Sequence, residues 1–385
     1  MMRIFAVLIV LLFGTGKSTA ATWYASGTGS STNGTPAQPW SMPYASGKIA
    51  NPYLKPGDWV EVQDGTDYLC TDSSTLSNTT NILQFFIGGT PSQRITYSAA
   101  SWLGAKFDGG LQLEPSASNV VLRYFEIRCS WSTNRTQRGG SGFLPPGINQ
   151  YAPGCDVMHN YIHDTGHPGI GSWLTTRGKY IAGNVMQFVG MDDAGNSRGS
   201  GMYLQNETNS STALIQGNYS IFNYTTGMKA YGNPPGWDFW FNRNGIFGCD
   251  EGGIFFNQDD SPLRLPTPSL RITENTIVMG GHEAQTGGIR LGYQTHPETG
   301  SNVVVAFNRV IEKAHPIQMI GGWGFNTVVS NLFVNLDSVF KFYLDLAGEG
   351  GLPGTHTIDY NRYYTTNLGT VNVKILDVVK SQAQW

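Results

Sequence analysis

Two cations stand at equivalent places in a phrase that returns along the chain. The phrase is a small residue, an aliphatic one, then alternation: Gly227-Met228-Lys229-Ala230-Tyr231 and Gly288-Ile289-Arg290-Leu291-Gly292. Alternate side chains of an extended strand face opposite ways, so Met228 and Ile289 turn inward while Lys229 and Arg290 turn outward. An ammonium near a guanidinium and partly desolvated drops below the usual lysine pKa of ~10.4 and becomes usable as a base. β-Elimination from a uronic acid needs such a base, a group that neutralises the carboxylate, and a proton for the leaving oxygen. Lys229 is the candidate base, Arg290 the neutraliser with Asn257 as its alternate, and Tyr203 and Tyr231 the proton donors.

Other copies of the phrase extend the outward positions into a strip. They begin at Gly169-Ile170, Gly201-Met202, Gly253-Ile254 and Pro316-Ile317. One outward column reads Gly171, Tyr203, Lys229, Phe255, Arg290, Gln318, and its neighbour carries Trp173, Gln205, Tyr231 and Asn257. Strands of stacked rungs lie about 4.8 Å apart, which puts Lys229 and Arg290 roughly 10 Å apart with Phe255 between them. Aromatic and amide groups are what carbohydrate sites concentrate, so Trp173, Gln205, Phe255, Asn257 and His282 are the candidate substrate-binding residues.

Acidic turns precede the strands. They read His163-Asp164, Asp192-Asp193, Cys249-Asp250-Glu251 and His282-Glu283. Gathered beside the strip, Asp192, Asp193, Asp250 and Glu251 would offer the oxygen ligands that suit Ca²⁺. Two other functions stay open on these residues. A glycoside hydrolase would use two carboxylates about 5 to 9.5 Å apart, from Asp250, Glu251, Asp259, Asp260 or Glu283. A carbohydrate-binding or adhesion protein would use the aromatic strip alone and would not require Lys229 with Arg290.

The elements that must position these groups are short strands. Before each Gly-aliphatic phrase stands an Asn phrase, at Asn160, Asn184, Asn218, Asn244, Asn275 and Asn308, at intervals between 24 and 34 residues. Repeats of this length, rich in Gly corners and without a helical period, signify stacked units that cannot bury their apolar faces alone. The expectation is an all-β protein, a right-handed parallel β-helix of roughly ten rungs, forming one domain over 21–385. The stretch 129–153 has no clear period and reads as a long loop beside the helix.

Composition narrows the partners. Only 13% of the residues are charged, the net charge is −3, and no Lys/Arg-rich block occurs, which argues against nucleic acid. Residues 1–20 open Met1-Met2-Arg3, run apolar from Ile4 to Phe13 and end on small residues, the pattern of a secretory signal. The run is too short to span a bilayer, which takes about 20 apolar residues. The protein is therefore expected to be exported and monomeric, with no membrane span and a polysaccharide as its substrate. Export permits disulfides, and Cys129 and Cys155 lie about one repeat apart, while buried unpaired thiols are the equal alternative.

The N-terminal region adds a resemblance. Tyr24-Ala25-Ser26-Gly27, Pro39-Trp40, Pro56-Gly57-Asp58 and Gly65-Thr66-Asp67-Tyr68 resemble the first turns of secreted right-handed parallel β-helix proteins, the pectate-lyase-like superfamily. The later Asn and Gly-aliphatic phrases resemble its rungs over nearly the whole chain after the signal. The resemblance implies the fold and a carbohydrate-directed role, but this fold hosts lyases, hydrolases, epimerases and phage spikes. Lys229 and Arg290 on an outer sheet are similar to the Lys/Arg sites of alginate and chondroitin lyases. Asn257-Gln258-Asp259-Asp260 followed by Gly281-His282 resembles galacturonase-type hydrolases, though the Arg-Ile-Lys that should follow is missing.

Overall fold

The structure is a computed structural model. It describes residues 20–73, 80–129, 145–173, 179–190, 199–205, 212–232, 239–258, 270–278, 287–292, 299–301, 303–312, 315–319, 322–324, 327–335, 357–365, 372–375 and 378–381. Residues 1–19, nearly all of the expected signal at 1–20, and most of the 129–153 stretch fall outside these residues.

The chain winds through three long sheets in turn, of 13, 11 and 10 strands, called here sheets 1, 2 and 3. One winding runs Tyr180–Ala182 in sheet 1, Val185–Gln187 in sheet 2 and Met202–Leu204 in sheet 3. The next runs Ala213–Gln216, Tyr219–Ile221 and Thr226–Gly232. Each strand pairs in parallel with its equivalent one winding on. This is the parallel β-helix expected from the repeats. Antiparallel pairing occurs where Asp72–Ser73 meets Thr80–Phe85 and in the hairpin Asn372–Ile375 with Val378–Ser381.

The Asn phrase turns the chain from sheet 1 into sheet 2. The residue before each Asn is left-handed, among them His159, Gly183, Gly217, Arg243, Glu274 and Phe307, with φ between 55° and 65°. For a non-glycine residue that backbone costs of order 1–3 kcal/mol. The asparagines behind these corners offset it. Asn184 donates its backbone N–H and its Nδ2 to Oδ1 of Asn218, each at 3.0 Å, and Nδ2 donates also to the Val157 carbonyl at 2.8 Å. Asn218 does the same to Asn244, Asn244 to Asn275, and Asn275 to Asn308. Asn331 and Asn361 continue the ladder. At about 0.5–1.5 kcal/mol per bond, three bonds per asparagine outweigh one strained corner. The ladder asparagines from Asn160 to Asn331 are at most 1% exposed.

Inward side chains fill the helix. Ile170, Met202, Met228, Ile254, Ile289 and Ile317 are all within 1% of complete burial. Ser172, Leu204, Ala230, Phe256 and Leu291, two places on, are fully buried too. Each such aliphatic side chain stabilises the fold by about 1.5–3 kcal/mol.

Residues 119–128 divide into Val120–Arg123 of sheet 1 and Phe125–Arg128 of sheet 2, broken at left-handed Tyr124. Two details differ from the sequence reading. The supposed loop 129–153 contains a sheet 3 strand, Ile148–Gln150. Cys129 follows the sheet 2 strand Phe125–Arg128, while Cys155 precedes the sheet 1 strand Asp156–Met158, so they are not equivalent positions on neighbouring rungs. All four cysteines are buried thiols. Burial pushes the Cys249 thiol up to about 11, which leaves it protonated and unfit as a nucleophile at neutral pH.

Candidate functional site

Sheet 3 carries the strip. Its register aligns Gly171 with Tyr203, Tyr203 with Lys229, Lys229 with Phe255, Phe255 with Arg290, and Arg290 with Gln318. The outward column is therefore the one the alternation predicts. It forms because the flanking positions 228 and 230, 254 and 256, 289 and 291 are apolar or small and turn inward, leaving the residue between them no place but the outer face.

Phe255 lies between the two cations. Lys229 Nζ is 5.2 Å from the centre of its ring and Arg290 Cζ is 5.1 Å from it. Lys229 Nζ also sits 5.9 Å from the Tyr203 ring on the other side. Contacts of this kind contribute about 0.5–2 kcal/mol, more as water is excluded. They hold both cations against the outer face. Burial lowers the Lys229 pKa below its ordinary value, Glu251 opposes that shift, and Arg290 adds to it. The lysine is thus shifted in the direction a base requires.

The acidic corner reaches the strip as well. The Asp250 N–H donates to the Asn223 carbonyl at 3.1 Å, and the Glu251 N–H donates to Thr225 at 3.2 Å. These bonds fix both residues where the chain enters the strand Gly252–Gln258, and the Glu251 charge is felt at Lys229. Among the described residues no group of three or more His, Cys, Asp or Glu gathers as metal ligands would. Asp192, Asp193 and His282 lie outside the described residues, as do Asp259, Asp260 and Glu283 of the hydrolase alternative. Tyr231 and Asn257 occupy the strand positions expected of them, paired with each other, but their side chains lie outside the described part.

Trp173, Tyr203 and Gln205 sit together at the N-terminal end of the strip. The Trp173 and Tyr203 ring centres are 5.5 Å apart at 47°. Gln205 Nε2 donates to the Tyr203 hydroxyl at 3.3 Å. The backbone carbonyl of Gln205 accepts from Lys179 Nζ, a lysine only 1% exposed whose pKa burial holds well below normal.

With this geometry the chain can be set beside known proteins. By sequence it matches no family model and no curated protein. By structure it resembles a rhamnogalacturonan lyase, at 14% identity over 89% of this chain and 87% of that one, with a TM-score of 0.55. It also resembles XylC, solved in complex with xylose, at 10% identity over 94% of this chain and 73% of that one, TM-score 0.51. What they share is the β-helix. At such identity the likeness extends to the winding of the chain and not to its side chains.

Sequence reasoning missed part of the outer face. Gly110-Leu111-Gln112-Leu113 and Gly147-Ile148-Asn149-Gln150 are two further copies of the phrase, and they pair in register with the rest of sheet 3. Their Gly-aliphatic signal was present in the sequence. It also missed Lys179, for which no pattern exists, because that residue lies just ahead of a sheet 1 strand.

Proposed function

We propose that the protein is a secreted polysaccharide lyase that cleaves a uronic-acid-containing polysaccharide by β-elimination. The observation that carries this reading is the alignment of Lys229 and Arg290 in one outward column, two rungs apart, on either side of Phe255. Neutral Lys229 takes the proton from the carbon beside the uronate carboxylate. Arg290 holds that carboxylate and offsets the charge that develops on it. The electron pair of the broken C–H bond becomes the new double bond as the bond to the leaving oxygen breaks. Tyr203 or Tyr231 gives that oxygen its proton. The ammonium of Lys229 then returns a proton to the tyrosinate, and the proximity of Lys229 to Tyr203 supports this reset. Ca²⁺ belongs to the same proposal: Asp192, Asp193, Asp250 and Glu251 would hold it, and it would add positive charge beside the substrate carboxylate. Export rests on the signal pattern of residues 1–20.

The test is incubation with a panel of uronic-acid and neutral polysaccharides, read by the absorbance of unsaturated ends and by reducing sugar. Unsaturated ends that vanish with Lys229→Ala, at an almost unchanged thermal transition, are the expected result. Reducing sugar without unsaturated ends would instead indicate a hydrolase, and binding without either product an adhesin. A chelator should lower the rate and added Ca²⁺ restore it; full activity after exhaustive chelation rejects the cation.

A further inference from the structure

The outer face of sheet 3 continues beyond Tyr203 with a different chemistry. Gly171, the next position in the column, has no side chain, and a Cβ there would come within 3.0 Å of Asn149 Oδ1. Across that gap the Trp173 indole Nε1 donates to the same Asn149 oxygen at 2.5 Å. Asn149 is 2% exposed, and its Nδ2 donates to Gln112 and to the Tyr151 hydroxyl, each at 3.4 Å. Gln112 in turn donates to Glu114 at 2.6 Å. Trp173 is thereby fixed in orientation, and the partly exposed Tyr151 lies parallel to it, ring centres 5.8 Å apart at 9°.

The two halves of the face differ in charge. From Tyr203 onward the outward column carries Lys229 and Arg290. In the other direction the outward positions of the described strands hold amides, aromatic rings and the carboxylate of Glu114. A uronate carboxylate laid over Trp173 would lose water without gaining a cation from these strands, with Glu114 on the same face. That is unfavourable. A neutral pyranose there would place its C–H face on an aromatic ring and lose no charge solvation. Trp173 is two rungs, roughly 10 Å, from Lys229, close enough for one saccharide chain to touch both.

The geometry points to a neutral-sugar subsite at Tyr151 and Trp173, so that the substrate is a mixed polymer, with uronate at Lys229 and Arg290 and neutral residues toward Trp173, rather than a homopolyuronate. This rests on the lyase reading for the uronate position, and the subsite can be tested apart from it. Binding is measured by tryptophan fluorescence and calorimetry in the Lys229→Ala protein, so that no turnover intervenes. The probes are fragments of rhamnogalacturonan and hyaluronan, in which uronate and neutral residues alternate, and of polygalacturonate and alginate, in which every residue is charged. At least one alternating polymer should bind tenfold or more tightly than both homopolymers. Trp173→Ala should erase that preference and Trp173→Phe, which keeps a ring in the place, should retain it, both variants melting as cooperatively as the parent. Equal or tighter binding of a homopolyuronate, no binding of either alternating polymer, or a preference that survives Trp173→Ala overturns the subsite. An alternating polymer that binds as described, yet yields no unsaturated ends with the wild type, refutes the lyase and leaves the subsite standing.

Discussion

Lys229 and Lys179 are both held below the ordinary lysine pKa by burial, and the two are placed for different ends. Lys229 stays partly exposed on the outer face, where a substrate can reach it. Lys179 is enclosed, with its Nζ on the Gln205 carbonyl, so it can position the strip but cannot touch a substrate. A folded pKa below the unfolded ~10.4 means that the unfolded chain binds the extra proton between the two values, so this residue's contribution to stability rises with pH across that window. We therefore expect the unfolding free energy of the wild type, minus that of Lys179→Met, to increase from neutral to alkaline pH in urea titrations. A difference that stays constant with pH would show that Lys179 is charged in the folded state at all these pH values. The strip was legible in the sequence because a period of two fixes which side chains face out. Lys179 was not, since nothing in the order of residues marks a lysine as enclosed. Asn149 and Tyr151 escaped because their Gly147-Ile148 phrase stands within a Gly-rich stretch that resembles a loop.

At the scale of elements the asparagine ladder governs. Asn244 accepts from the N–H and Nδ2 of Asn218 and donates to Asn275, so its loss strands donors that water cannot reach. Asn361, at the end of the described ladder and partly exposed, accepts from Asn331 and donates to the Val328 carbonyl. Asn244→Ala should cost about 2–3 kcal/mol or more, from two orphaned buried donors, and Asn361→Ala clearly less. Chemical denaturation of the two variants compares them directly, and equal losses would show that the ladder does not carry the corners. The ladder was visible as the recurring Asn phrase, because each winding needs its own amide at one place. The corner at Tyr124 was invisible. It has neither Gly nor Asn, and the Phe125 N–H is instead satisfied by Asn160 Oδ1 at 3.0 Å, from the next winding.

The whole molecule is a scaffold that repeats its interior and varies its exterior. Interior columns accept any apolar residue of suitable size, which is why the fold survives at 14% identity to the rhamnogalacturonan lyase and why the likeness alone decides no chemistry. The proposed chemistry sits on the outer face of sheet 3, with cations toward one end and amides, rings and Glu114 toward the other. If the cationic half neutralises uronates, Arg290→Ala should reduce kcat/KM on a uronate polymer by 100-fold or more while leaving the melting temperature nearly unchanged. A variant with wild-type turnover would detach the guanidinium from the reaction. The proposed elimination requires Lys229 to act as a base in its neutral form, with Glu251 raising its pKa. The decisive measurement is the pH dependence of kcat/KM, followed by unsaturated-end absorbance, for the wild type and Glu251→Gln. The expected result is an acid limb whose midpoint lies below that of ordinary lysine and moves to lower pH when the carboxylate is removed. A midpoint that stays in place, or moves to higher pH, would contradict it.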